Sequence, residues 1–226
     1  MTGMSTPLSG HDKELAQQII NAGRRLVISG MNRGSSGNIS MRSETRFNNQ
    51  AGFLITPSSI DPDKMTDDSI CLLNMTGENA GEGKPSSEWR MHRDIYVARP
   101  DIHAIVHAHS PFATTLACMQ LEVPPFNYMI AVTGGNTIPC APYALFGTQE
   151  LSDKALETLE NRYACLLAHH GMLALGYNLD HAMAIAVEVE SLSEQYWRIL
   201  QTGRLKLLSE KQMDAVHEKF RDYFRK

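Results

Sequence analysis

The stretch His103–Ser110 contains three histidines, and two of them, His107 and His109, are separated by one small residue. Ile105 and Val106 are β-branched, which favours a strand over this stretch. Side chains alternate across a strand, so His107 and His109 are expected on one face, about 7 Å apart. Two imidazoles at that separation can bind one metal ion. The alternative is a pair of histidines on a solvated edge strand.

A second histidine pair, His169–His170, follows the apolar run Cys165–Leu167 and precedes Gly171. Neighbouring residues on a strand face opposite sides, so one member of the pair can complete a three-histidine site. Periodicity does not decide which member this is. Three imidazoles with an open fourth position are typical of a catalytic zinc. Imidazoles also bind manganese and cobalt, so the pattern predicts a transition-metal site without choosing the ion.

Two turn-rich segments carry groups that bind anions. In Gly30–Asn38, Gly34 and Gly37 allow tight turns that bring backbone N–H groups close to an anion, and Ser35 and the final asparagine add side-chain donors. The segment Thr56–Ser59 follows a predicted buried strand and adds further hydroxyl groups. The alternative for the glycine-rich segment is a flexible turn with no ligand.

The segment Pro85–Glu88 is predicted to open a helix that ends at Arg99, because a proline follows. A helix N-terminus with two adjacent hydroxyl groups suits an anion. A purely structural explanation is equally available, in which Ser86 or Ser87 is the N-cap and Glu88 interacts with the helix dipole.

Periodicity predicts a mixture of helices and strands along the chain. Helices are predicted at 11–29, 85–99, 111–119, 151–161, 179–202 and 209–226. Strands are predicted at 39–42, 53–55, 69–73, 103–110, 165–167 and 172–175. Residues 43–51 show no periodicity and are predicted to be a hairpin loop, and residues 126–148 are predicted to form irregular strands along a sheet edge.

Composition restricts the class of protein. A chain of 226 residues fits a single domain, 1–226, and 42% hydrophobic with 20% charged residues is typical of a globular protein. The net charge of −4 does not favour nucleic-acid binding, and no apolar run approaches the ~18 residues of a membrane span. The first ten residues lack the hydrophobic region of a signal peptide. The scattered cysteines predict reduced, buried thiols in a cytoplasmic protein; they are Cys71, Cys118, Cys140 and Cys165.

Seven short motifs occur along the chain in a fixed order. They are Gly34–Asn38, Leu54–Pro57, Pro85–Arg90, Val106–His109, Tyr128–Ala131, Cys140–Tyr143 and His169–Gly171. With these motifs the chain resembles the class II aldolase/adducin family, from about residue 12 to about residue 224. The resemblance implies a three-layer α/β/α sandwich around a mostly antiparallel sheet. It also implies a ring-shaped homotetramer with active sites at the subunit interfaces.

The resemblance further implies roles for individual residues. The expected zinc ligands are His107, His109 and His170. Glu88 is the expected acid/base and approaches the metal when no substrate is bound. Tyr128 and Tyr223 are expected to act from the adjacent subunit near the aldehyde. The expected phosphate-binding residues are Ser35, Gly37, Asn38, Thr56, Ser58, Ser59, Ser86 and Ser87.

The implied reaction is the reversible cleavage of a ketose 1-phosphate, such as L-fuculose 1-phosphate, into dihydroxyacetone phosphate and a short aldehyde such as L-lactaldehyde. A zinc-stabilised enediolate would carry the negative charge, since the metal acts as a Lewis acid. The alternatives on this scaffold are decarboxylation of a four-carbon oxo-acid phosphate and epimerisation of a pentulose phosphate. The resemblance implies that epimerases have aspartate where this chain has Glu88, which argues against epimerisation. An adducin-like module without catalysis is expected to lack the ligands or the acid.

Two features depart from the family pattern. Ser59 stands where the phosphate turn of the family usually ends in glycine, and residues 43–51 look longer than in the sugar aldolases. Either feature could signal a different substrate, and neither lies in the predicted metal site.

Overall fold

The computed structural model describes residues 8–224, with side chains up to residue 222, and this part of the chain contains one seven-stranded sheet. The strands are β1 (Asn38–Phe47), β2 (Gln50–Ile55), β3 (Cys71–Asn74), β4 (Ala104–Ala108), β5 (Cys140–Ala141), β6 (Ala164–Leu167) and β7 (Gly171–Gly176). Their order across the sheet is β3-β2-β1-β4-β7-β6-β5, and every neighbouring pair is antiparallel except β5 and β6. The expected mostly antiparallel sheet is confirmed.

Helices cover both faces of this sheet. They are α1 (Gly10–Ile28), α2 (Trp89–Ala98), α3 (Pro111–Cys118), α4 (Gln149–Thr158), α5 (Leu179–Thr202) and α6 (Glu210–Phe224). Side chains alternate along each strand, so that Val106 faces the core beneath α1, α3 and α5 while Ile105 faces the core beneath α2 and α4. This is the predicted three-layer α/β/α sandwich. Among the described residues, no helix is both long and apolar enough to cross a membrane.

Residues 43–51, predicted to be a loop, are mostly strand. β1 continues to Phe47 and β2 begins at Gln50, so the connection consists of Asn48 and Asn49 alone. Both asparagines have positive φ, +50° and +62°, which is the conformation of a two-residue hairpin turn whose twist matches the strands. The pairing of β1 with β2 shifts register between Ser43 and Arg46. Because of this irregularity, polar and apolar residues do not alternate regularly here, and the sequence did not indicate a strand.

The segment 126–148 contains less strand than predicted. It forms a 3-10 helix at Tyr128–Thr133 and the two-residue strand β5, which lies at the sheet edge and pairs with β6. Pro139 and Pro142 flank β5, and proline cannot donate to a ladder of backbone hydrogen bonds, so the strand stays short.

The prediction of four buried thiols is wrong for Cys118. Cys71 and Cys165 are buried and Cys140 is half-buried, but Cys118 is exposed at the end of α3. An apolar sequence neighbourhood does not bury every residue of a helix, because a helix of this length presents one side to the solvent. All four cysteines are free, as expected.

Candidate metal centre and active site

Three imidazoles meet at the end of β4. His107 lies in β4 on the same side of the sheet as Ile105, His109 follows the strand, and His170 lies in the turn between β6 and β7. Their ligand atoms all lie within 4.8 Å of one another, and the ring centroids are 4.8–4.9 Å apart with edge-to-face orientations. Register places this turn here, because β7 pairs antiparallel with β4 and sets His107 opposite Leu173.

The structure decides between the two histidines of the second pair. His170 joins the cluster, whereas the His169 side chain turns away and contacts Gln120 (Nε2 to Nε2, 3.1 Å) and the Tyr143 ring. The His169 backbone has φ +58°, so the two residues belong to a tight turn and not to a strand. The alternation rule therefore did not apply to this pair.

Hydrogen bonds orient the His107 imidazole and hold the backbone of His109. His107 Nδ1 lies 2.9 Å from the carbonyl oxygen of Met172, which can only accept, so Nδ1 carries the hydrogen and the lone pair of Nε2 faces the cluster. The backbone N–H of His109 donates to Asn32 Oδ1 at 2.8 Å and holds the end of β4 in place. His107 Nε2 and His109 Nε2 are only 3.0 Å apart.

Glu88 completes the cluster. It occupies the N-cap position of α2 and is 6% exposed. Its Oε2 lies 3.2 Å from His107 Nε2 and accepts a hydrogen bond from Asn38 Nδ2 at 2.9 Å, while its Oε1 lies 3.4 Å from His170 Nε2. Glu88 Oε1 is buried and has no hydrogen-bond partner among the described residues. Neither Ser86 nor Ser87 is the N-cap, although Ser86 Oγ accepts from the Glu88 backbone N–H at 3.3 Å.

The ionisation of these groups follows from burial and mutual contact. Burial, with the neighbouring imidazoles, lowers the pKa of His109 to about 3 and that of His170 to about 4. Burial acts against charge on His107 as well, but the adjacent Glu88 carboxylate outweighs it and raises the pKa. Burial opposes ionisation of Glu88, yet the contacts with His107, His170 and Asn38 hold its pKa well below the usual range.

The donor set fits a divalent cation. The imidazole ligand atoms lie within 4.8 Å of one another, and a buried carboxylate oxygen without a hydrogen-bond partner lies 3.4 Å from one of them. Without a cation or a shared proton the lone pairs of these atoms repel one another, whereas a transition-metal ion is bound by this combination of nitrogen and oxygen ligands.

A cleft of about 350 Å³ opens above this cluster. Glu88, His109 and His170 line its base, whereas His107 is fully buried beneath it. Most of the predicted phosphate-binding residues also line the cleft; they are Ser35, Gly37, Asn38, Ser58, Ser59, Ser86 and Ser87. Thr56 does not, since it is buried and its Oγ1 accepts from the Ile39 backbone N–H at 3.2 Å.

Ser59 has an unusual backbone conformation. Its φ of +61° lies in the left-handed region, where a β-carbon is disfavoured and glycine is at ease. Ser59 therefore has a backbone conformation that glycine adopts readily, and it adds a hydroxyl group to the wall of the cleft.

Tyr128, one of the two predicted tyrosines, does not line the cleft of its own chain. Tyr128 is 53% exposed on the 3-10 helix, and its ring packs 6.3 Å from that of Phe220 on α6. Tyr223 belongs to the last turn of α6, and its side chain lies outside the described residues.

Two aromatic residues of the cleft were given no role from the sequence. Tyr143 and Phe146 lie on the wall of the cleft and are 55% and 61% exposed. Large aromatic side chains in a proline- and glycine-containing loop beside Cys140–Ala141 were the available signal, because such side chains are seldom left exposed without a ligand or partner.

Comparison with known proteins identifies the family. Residues 17–197 match the family described as Class II Aldolase and Adducin N-terminal domain. The chain is 47% identical over 209 residues to the 5-methylthioribulose-1-phosphate/5-deoxyribulose-1-phosphate aldolase of Rhodospirillum rubrum, covering 92% of each chain. It is 43% identical over 212 residues to the L-fuculose phosphate aldolase of Escherichia coli K12, covering 93% of this chain and 95% of that one. A solved structure of L-fuculose 1-phosphate aldolase superposes with a TM-score of 0.87 at 38% identity, covering 95% and 98%. The chain therefore belongs to the class II aldolase and adducin family and is a class II aldolase.

Proposed function

We propose that this protein is a zinc-dependent aldolase that reversibly cleaves a ketose 1-phosphate into dihydroxyacetone phosphate and a short aldehyde. The observation that supports this proposal is the Glu88 carboxylate, which faces three convergent imidazoles at the base of a cleft lined with hydroxyl groups. The names of the relatives describe phosphorylated ketoses, and this cleft has the groups that such a substrate requires.

His107, His109 and His170 would hold the zinc, and Glu88 would approach it in the absence of substrate. When bound, the ion supplies a Lewis acid that stabilises negative charge on the oxygens of the cleaved ketose. The Met172 carbonyl keeps His107 in the tautomer that a ligand requires, and Asn32 anchors the backbone of His109.

Glu88 would move the proton. When the bond between C3 and C4 breaks, the C4 hydroxyl group loses its proton and becomes the aldehyde carbonyl. The electron pair of that bond stays on the three-carbon fragment, which must gain a proton at C3 to become dihydroxyacetone phosphate. The Glu88 carboxyl lies at the base of the cleft, within reach of a substrate held there. In the synthetic direction the carboxylate removes the same proton.

The phosphate would bind at the other end of the cleft. Ser35 and Gly37 come from the loop before β1, Ser58 and Ser59 from the turn after β2, and Ser86 and Ser87 precede α2. None of the cleft-lining residues in the described part of the chain is lysine or arginine. Hydroxyl groups and backbone N–H groups near a helix N-terminus would therefore bind the dianion.

The aldehyde end of the substrate would contact Tyr143 and Phe146. Their exposed rings form the apolar part of the wall, which favours an aldehyde ending in an alkyl or thioether group. A methyl or hydroxyl difference at that end changes binding by only about 1–3 kcal/mol, so several short aldehydes are expected to react.

We extend the proposal to the assembly. Tyr128 is exposed and does not line the cleft of its own chain, which is consistent with a role in the site of an adjacent subunit of a homotetramer, and we propose the same role for Tyr223. The whole chain, 1–226, would act as one domain in the cytoplasm, and the four free thiols fit a reducing compartment.

A coupled assay of dihydroxyacetone phosphate release tests the proposed function. The zinc-loaded protein is supplied with L-fuculose 1-phosphate, 5-deoxyribulose 1-phosphate and 5-methylthioribulose 1-phosphate in parallel. Turnover that a chelator abolishes and zinc restores supports the proposal, and the ranking of kcat/KM identifies the aldehyde. If none of the three is cleaved while one zinc per chain is bound, the proposal is wrong, and the four-carbon oxo-acid phosphate decarboxylase and pentulose-phosphate epimerase reactions are tested next.

A further inference from the structure

A row of buried polar side chains lies behind the acid/base. Glu88 Oε2 contacts Asn38 Nδ2 at 2.9 Å, Asn38 Oδ1 contacts His92 Nε2 at 2.5 Å, His92 Nδ1 contacts Ser40 Oγ at 2.6 Å, and Ser40 Oγ contacts the Tyr96 hydroxyl at 2.8 Å. Each of the five residues is at most 6% exposed. Of these five residues, Glu88 and Asn38 border the cleft, and the other three do not.

Two secondary-structure periods create this row. Glu88, His92 and Tyr96 are four residues apart and so lie along one side of α2. Asn38 and Ser40 are two residues apart and so point to the same face of β1. The tertiary packing of α2 against β1 brings the two sets together.

Every hydrogen bond in the row has a defined direction. A carboxylate only accepts, so Asn38 must present its NH₂ group to Glu88 and its carbonyl oxygen to His92. His92 must then carry its hydrogen on Nε2 and accept from Ser40 Oγ on Nδ1, which leaves Ser40 to accept from the Tyr96 hydroxyl. The donors thus all point from Tyr96 towards Glu88.

The surroundings keep the row neutral and rigid. Burial lowers the pKa of His92 to about 3, so the imidazole is uncharged at neutral pH and holds one hydrogen. The Tyr96 ring packs 5.5 Å from the Phe53 ring and lies beneath the Arg42 guanidinium at 4.8 Å. Arg42 also donates to backbone carbonyl oxygens of Tyr96 and Arg99, which fixes the end of α2.

We infer that His92 is a positioning residue for the aldolase reaction, which holds the Asn38 amide in the one orientation that fixes Glu88 against the imidazole cluster. The inference rests on the proposed role of Glu88 as proton carrier. Without the Nε2–H donor of His92, the Asn38 carbonyl oxygen would be buried without a partner, and the amide would be held only by its bond to Glu88. Ser40 and Tyr96 act one step further away, because they select the tautomer of His92.

Steady-state kinetics of zinc-loaded variants test the inference, with the ketose 1-phosphate that the unaltered protein cleaves fastest. His92→Leu removes the donor and is expected to lower kcat by about 10- to 100-fold, with KM changed less than threefold and one zinc per chain retained. His92→Gln restores an N–H group near the position of Nε2 and should have at least a third of the kcat of the unaltered protein. Tyr96→Phe, which keeps the ring, should cause a loss of only a few-fold.

Ile95→Val is the matched control. Ile95 is fully buried in the same turn of α2 but belongs to the apolar core, so this variant should lower the melting temperature and leave kcat unchanged. If His92→Leu keeps kcat within threefold of the unaltered protein, or if His92→Gln loses as much kcat as His92→Leu, His92 only fills space and the inference is wrong.

A double-variant cycle separates this inference from the proposed function. In the Glu88→Gln background, His92→Leu should cause no further loss of kcat, because its effect passes through Glu88. Losses that multiply would overturn the inference while leaving the role of Glu88 intact. Full activity of Glu88→Gln alone would instead overturn the proposed role of Glu88, on which the inference rests.

Nitrogen NMR of histidine-labelled protein gives a readout that needs no turnover. The ring signals of His92, assigned by their absence in His92→Gln, should show the Nε2–H tautomer in the metal-free and zinc-loaded protein alike. An Nδ1–H tautomer would contradict the direction of the row and overturn the inference.

Discussion

Replacement of Glu88 by glutamine is the most direct perturbation of the proposed reaction. The amide has almost the same size as the carboxylate, and its oxygen can still accept the hydrogen bond that Asn38 Nδ2 donates at 2.9 Å. The amide nitrogen then faces His170 Nε2, which is 3.4 Å from the carboxylate oxygen it replaces. The change therefore removes the proton acceptor and leaves the packing and the three imidazoles in place.

The size of the effect follows from burial. General acid/base catalysis contributes about 10²- to 10⁴-fold in rate, which corresponds to roughly 3–5 kcal/mol of transition-state stabilisation. Glu88 is only 6% exposed, so water cannot readily take its place, and we expect a loss in kcat in the upper half of that range. Zinc content should stay at one per chain, because His107, His109 and His170 are unchanged.

The assay couples dihydroxyacetone phosphate release to an NADH-dependent reductase, and metal analysis is made on the same samples. Glu157→Gln is the control, since Glu157 is an exposed residue of α4 outside the cleft and its replacement should leave kcat unchanged. A Glu88→Gln protein that retains zinc and more than a tenth of the original kcat would refute the assignment of the acid/base.

Three further predictions concern stability and the tail. Ser59→Gly removes a serine from a left-handed conformation (φ +61°) and should raise the free energy of unfolding by about 0.5–1 kcal/mol in thermal or urea melts. Ser58→Gly is the control and should lower that free energy, because φ of Ser58 is not positive. Equal decreases in the free energy of unfolding for the two variants would show that Ser59 is not strained. Asp12→Asn should lower the free energy of unfolding by about 2 kcal/mol at neutral pH, because the buried Asp12 carboxylate accepts hydrogen bonds from three hydroxyl groups. Burial opposes ionisation of Asp12, but these hydrogen bonds hold its pKa in the folded protein below the unfolded value near 3.9. The difference in free energy of unfolding between the unaltered protein and Asp12→Asn should therefore persist above about pH 4 and shrink as the pH falls. A difference that does not change with pH would refute this account. Removal of residues 217–226 should reduce kcat and spare zinc content and the far-ultraviolet spectrum, since only the end of α6 is lost; loss of zinc would show that the tail is structural.

Patterns with a local cause were read correctly from the sequence. The alternation in β4 predicted that His107 and His109 share a face, and the two core halves confirm the alternation. The helix predicted from residue 209 begins at Glu210, and Ser209 and Gln212 form the two reciprocal hydrogen bonds of a capping box at its start. These features depend on residues within one or two turns of each other, so spacing alone determines them.

Other features depend on strand register and packing between distant segments. The choice of His170 over His169 follows from the tight turn after β6 and its position beside β4, and periodicity could not supply it. The burial of Thr56 behind the cleft and the hairpin at Asn48–Asn49 likewise follow from strand pairing.

The row from Tyr96 to Glu88 shows most clearly which features the sequence determines and which the tertiary structure determines. Its residues are spaced by four along α2 and by two along β1, which the sequence by itself determines. Only the tertiary structure decides that these two series face each other, because segments about 50 residues apart come together through the whole sheet and its core. Local backbone geometry sets which side chains share a face, and the burial of both faces of the sheet sets what each face meets.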